Sequence, residues 1–101
     1  MNERLKPLET ETISLIPRVR HRAVGEDGVL VHLDSGRVIV VNEVGHYIVQ
    51  MLEQPMSRKA LVASLVAEFD VSAEQAEVDL DLFLDEIGNE QLVEYSGQAD
   101  L

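Results

Sequence analysis

Two short glycine-bearing breaks constrain this sequence more than any other feature. Gly25-Glu26-Asp27-Gly28 and Asp34-Ser35-Gly36 supply residues that tolerate the positive φ of tight turns. Before the first break, Val19, His21 and Ala23 alternate with Arg18, Arg20 and Arg22. That period of two predicts a strand starting just after Pro17, where no ladder N–H is lost. Val29–Leu33 is a β-branched-rich second strand, and Arg37–Val41 is the third. Short links between three strands predict an antiparallel meander. The run Val38-Ile39-Val40-Val41 is apolar on both faces. A small sheet normally shows one face to water, so another element is expected to cover the second face.

Helical signals follow. Asn42 is a good N-cap for Glu43–Glu53, whose stripe is Val44, Ile48, Met51 and Leu52, and Gln54-Pro55 stops that helix. Ser57 caps Arg58–Phe69, with Leu61, Val62, Leu65, Val66 and Phe69 inward. Arg58 and Lys59 stand at the positive end of that helix dipole, either as a tolerated penalty of tenths of a kcal/mol or as groups that meet an acidic partner. Val71 and Ser72 open the third helix, where Ser72 and Gln75 have capping-box spacing. Its core stripe is Ala76, Leu80, Phe83, Leu84 and Ile87, and Gly88-Asn89 is the expected stop. Leu92-Val93 is expected to pack back as an extended piece. Three strands followed by three helices is an α+β order, and it has the elements of a winged helix. The expected organisation is an N-terminal arm over residues 1–12, one domain over 13–95 and a tail over 96–101. The 101 residues suit a single modest core.

Charge narrows the function classes. Residues 1–59 carry all 8 basic groups and 8 acidic ones, whereas residues 60–101 carry 11 acidic groups and no basic one. Third-helix contact with phosphates would be repulsive along its length, so nucleic acid is not an expected partner. No purely apolar run is longer than the four residues of Val38–Val41, far short of a membrane span, and Met1–Pro17 lacks the form of a secretory signal. With no cysteine there is no disulfide, thiolate nucleophile or Cys-based zinc site. A soluble cytoplasmic protein is the expectation.

Catalytic constellations are missing from the sequence. His21, His32 and His46 form no i,i+4 pair; His21 and His32 would make a weak metal site even as cross-strand neighbours. Glu77, Asp81 and Asp85 share a helix face, yet one helix cannot place two carboxylates across a substrate, and no second element offers cation ligands. Gly-rich phosphate loops and a GxSxG elbow are absent. These residues point to a binding module with no cofactor and no metal, and not to an enzyme.

An exposed edge strand can take an extended peptide as one more strand. Arg37–Val41 is the candidate edge, and the third helix beside it would give a groove with an apolar floor. Val78 and Leu82 lie off the main core stripe and read equally as the far wall of that groove or as the rim of the core. Acidic groups there would favour a peptide bearing Lys or Arg. Two rivals use the same residues: a homodimer in which Arg37–Val41 pairs with its own copy, and a cation-dependent enzyme built on the third-helix carboxylates.

The segment Gly28-Val29-Leu30-Val31, the turn Asp34–Gly36 and Arg37-Val38-Ile39-Val40-Val41-Asn42 entering a helix resemble the PqqD-like proteins. Asp79-Leu80-Asp81-Leu82-Phe83-Leu84-Asp85-Glu86-Ile87 followed by Leu92-Val93 is similar to that family's third-helix pattern. The likeness spans about Ile16 to Val93. It departs at Val49, where the family often has an aromatic residue, and at Gln54-Pro55, where it often has Asp-Gly.

The resemblance implies a recognition element for ribosomally made, post-translationally modified peptides, binding a precursor's leader as an added strand. It implicates Arg37, Val38, Ile39, Val40 and Val41 in main-chain pairing, and Val78, Asp79, Leu82, Phe83 and Glu86 in the helix wall. It also implies work in trans with a separate maturation enzyme: a leader protease, a cyclase or a radical enzyme. Within the family the Val29–Asn42 segment looks more like the lasso-peptide type than the pyrroloquinoline-quinone type.

Overall fold

The structure, a computed structural model, describes residues 11–96. Nine elements follow one another: β1 (Thr12–Leu15), β2 (Val19–Val24), β3 (Asp27–His32), β4 (Val38–Val41), α1 (Glu43–Met51), β5 (Met56–Ser57), α2 (Arg58–Phe69), α3 (Ala73–Asn89) and β6 (Val93–Ser96). The α+β class expected from the sequence is present. The meander is there as well, with β2, β3 and β4 in that spatial order and antiparallel throughout. Gly25 and Gly36 take positive φ in the two turns, at 64° and 78°.

A second three-stranded sheet, ordered β5-β1-β6, was not legible in the sequence. Thr12 lies inside β1, although it falls in the stretch expected as an arm, and Ser96 closes β6 at the expected start of the tail. The rest of that arm, residues 1–10, and residues 97–101 lie outside the described residues. Ile13, fully buried, ties this small sheet to the core.

The helix starts follow their caps. Asn42, Ser57 and Ser72 each accept a hydrogen bond from the backbone N–H three residues on, at 2.9, 3.0 and 3.0 Å. The capping box is only half formed, because Gln75 Nε2 donates to Asp79 Oδ1 at 2.8 Å. The chain leaves α3 through Gln91 at φ 60°, and Gly88 stays helical.

The unfavourable start of α2 has its compensation inside the molecule. The Arg58 guanidinium, 12% exposed, pairs with Asp81 and lies 3.7 Å from Glu77, both on α3. Arg58 is therefore an internal tie between two helices and does not await an acidic partner; Lys59 remains exposed.

The meander has two unlike faces. Leu30, Ile39 and Val41 point into the core with Ile48, Leu80 and Phe83. On the opposite face Val38 and Val40 are 59% and 67% exposed. The cover expected for the second face is not supplied by any described element. All three helices are spent on one side, where the larger continuous apolar surface is buried.

Candidate functional site

Backbone direction along β4 decides what that strand can offer. His32 donates its N–H to the Arg37 carbonyl at 2.9 Å, and Leu33 donates to the Arg18 carbonyl at 2.8 Å. In an antiparallel ladder the N–H and C=O of one residue point to the same side, and successive residues alternate. With Ile39 opposite Leu30 and Val41 opposite Gly28, Arg37, Ile39 and Val41 spend their backbone groups on β3. Val38 and Val40 turn theirs outward. Among the described residues no strand pairs with that outer edge. The described end of the chain, β6, pairs with β1 instead.

Beside this edge runs a groove of about 410 Å³ between β4 and α3, lined by Val40, Val41, Asn42, Val44, Gly45, Asp79, Leu82, Phe83 and Glu86. Asp79, Leu82, Phe83 and Glu86 fall at i, i+3, i+4 and i+7 and so form one stripe of α3. Phe83 is mostly buried and supplies the floor, while Leu82 stands 65% exposed on the wall. The carboxylates of Asp79 and Glu86 give that wall its negative charge.

Six of the residues singled out from the sequence therefore meet in one place: Val40, Val41, Asp79, Leu82, Phe83 and Glu86. Four stand apart from the groove lining. Val38 and Ile39 belong to the edge strand, Val78 is 53% exposed outside the lining, and Arg37 reaches across to Glu90 at 2.9 Å. Sequence reasoning missed Asn42, Val44 and Gly45, the first turn of α1. The available signal was that β4 runs into α1 with one residue between them, which lays that turn against the strand end. Gly45 is required there: a Cβ would sit 2.7 Å from Phe83 Cε1 and 3.1 Å from Val41 Cβ.

The histidines do not form the cross-strand pair considered from the sequence. His21 faces Leu30, and His32 faces Val19. His21 Nε2 instead meets Glu53 Oε2 at 2.6 Å, and its ring stands edge-on to His46 at 5.5 Å between centroids. His46 is buried against Gly28, where a Cβ would come within 2.5 Å of the His46 ring. No group of three potential metal ligands occurs among the described residues. Of the Glu77, Asp81 and Asp85 set, the first two hold Arg58. Burial raises the Tyr95 phenol above its usual pKa, helped by Asp85, Glu11 and Asp81 and opposed by Arg58. No helix among the described residues is long and apolar enough to cross a membrane.

The family described as "Coenzyme PQQ synthesis protein D (PqqD)" matches residues 27–93. The chain belongs to the PqqD family. The matched segment runs from β3 through α3 to the start of β6, so it contains both walls of the groove. Among solved structures, "TbiB1 in Complex with the TbiA(beta) Leader Peptide" is similar to this PqqD-family chain at 30% identity and a TM-score of 0.72. The alignment covers 86% of this chain and 99% of that one. Curated proteins give no match.

Proposed function

We propose that this PqqD-family chain is a non-catalytic adaptor. It captures the leader segment of a ribosomally made precursor as a strand added to β4 and presents it to a separate maturation enzyme. The observation that carries the reading is the outward backbone of Val38 and Val40 beside the Leu82–Phe83 groove. Main-chain pairing supplies affinity in strand addition, and side-chain pockets supply selectivity. The relative TbiB1, bound to a leader peptide, supports the same occupant here, and the Val29–Asn42 segment favours the lasso-peptide type. On this reading Arg37–Val41 form the pairing edge, and Val78, Asp79, Leu82, Phe83 and Glu86 the helix wall. The chain works in the cytoplasm, where precursor and enzyme are made.

The test is a titration of the leader peptide of this chain's own precursor into wild type and Leu82→Arg. Leu82 is exposed, so the variant keeps its fold while a charge enters the apolar wall. Affinity is expected to fall by about tenfold or more. Equal affinity for both proteins refutes the groove. A tight dimer of the wild type that ignores the leader would favour self-pairing through β4.

A further inference from the structure

Apart from Val40, which also lines the groove, the outer face of the β2-β3-β4 sheet takes no part in it. Two cross-strand rows stand on it, Arg22–Val29–Val40 and Arg20–Val31–Val38. Four valines thus lie side by side, and no described element packs over them. Arg20 and Arg22 border them along β2, both exposed, and neither meets a carboxylate among the described residues. Arg20 is held by its own backbone, donating from Nη1 to the Pro17 carbonyl at 2.9 Å. In a chain of net charge -11, this face is a cationic, apolar pole opposite the acidic α3.

We propose that this face docks the separate maturation enzyme, through a patch on that enzyme with an apolar centre and a carboxylate rim. The proposal rests on the leader-binding reading and extends it. A peptide added beside β4 alternates its side chains: one set enters the groove, and the other continues the valine rows onto a fourth strand. An enzyme seated on the face touches the adaptor's valines and the leader's outward side chains together. Leader and enzyme then strengthen each other's binding by the same factor. A second copy of this chain fits less well, because a two-fold pairing would gather four guanidinium groups at one interface.

The experiment uses the full chain, the maturation enzyme that acts on its precursor and that precursor's leader peptide. Calorimetry at low salt measures enzyme binding to wild type, Arg22→Glu and Val31→Ser, with and without saturating leader. The leader is expected to tighten wild-type binding of the enzyme by about tenfold. Each variant is expected to weaken enzyme binding by about tenfold or more, with leader affinity held within about twofold. Arg22 is exposed, so its variant decides the matter even if Val31→Ser loosens the sheet. Enzyme binding that Arg22→Glu leaves unchanged overturns the proposal, as does a wild type that binds leader but no enzyme. A wild-type dimer dissolved by Val31→Ser overturns it in favour of a second copy. Enzyme binding lost in Arg22→Glu, from a wild type that never takes up leader, upholds this face and defeats the leader reading.

Discussion

Arg37 Nη2 lies 2.9 Å from Glu90 Oε2, joining the residue before β4 to the residue after α3. The pair ties the two walls of the groove together at one end. Arg37 is 61% exposed in its side chain and Glu90 28%, so solvent screens the attraction and its share of stability stays below about 1 kcal/mol. Its effect is expected in binding. Arg37→Ala and Glu90→Ala should each weaken leader binding a few-fold, and the double variant should lose little more than either one. Fully additive losses in that cycle would mean that the two residues act separately.

Proline substitutions separate the two sides of β4. Ile39 donates toward β3, so Ile39→Pro removes a ladder bond inside the sheet and should destabilise the fold. Val40 points its N–H outward, so Val40→Pro removes a donor that only an added strand would use. Thermal unfolding is expected to drop for Ile39→Pro and to change little for Val40→Pro, while leader binding is lost in Val40→Pro. The opposite order of melting temperatures would reverse the assigned ladder.

Much of this was legible in the residues, for identifiable reasons. Gly25, Gly28 and Gly36 mark turns chemically, so the meander could be read, and Asn42, Ser57 and Ser72 announce helices through caps that need no distant partner. The second sheet could not be read. β1 spans four residues and β5 two, and β1 pairs with strands 43–45 and 78–84 positions away; no local periodicity encodes such pairing. The histidine arrangement failed for a similar reason, since only the β2–β3 register decides that His21 faces Leu30. The α3 stripe and the edge strand were visible, whereas Asn42, Val44 and Gly45 entered the groove through a junction that was read only as a cap.

Gly45 sets how closely α1 approaches α3. Gly45→Ala places a methyl group 2.7 Å from Phe83 Cε1, and the ring is packed on its other side by the core. The variant should lose about 1–3 kcal/mol in denaturant unfolding, the usual cost of overpacking. It should also bind leader more weakly, because Phe83 must shift into the groove. Unchanged stability would show that the ring moves freely.

Tyr95 predicts an alkaline limit. Its phenol is held in the neutral form by burial first and then by Asp85, Glu11 and Asp81, against the attraction of Arg58. The folded chain therefore binds this proton more tightly than the unfolded chain. The associated stability is intact below the ordinary phenol value of 10.0 and is lost as pH rises from there through the folded value. Tyr95→Phe should flatten the fall in melting temperature above about pH 10 and leave neutral pH unaffected. A steep fall of the same size in the variant would place the alkaline limit elsewhere.

Backbone hydrogen exchange across β4, followed with and without the leader peptide, tests strand addition most directly. Free protein should exchange the amides of Val38 and Val40 quickly while Ile39 and Val41 are already protected by β3. Saturating leader should protect Val38 and Val40 and leave the outer edge of β2 unchanged. Leader binding with no gain of protection at Val38 and Val40 would contradict the account.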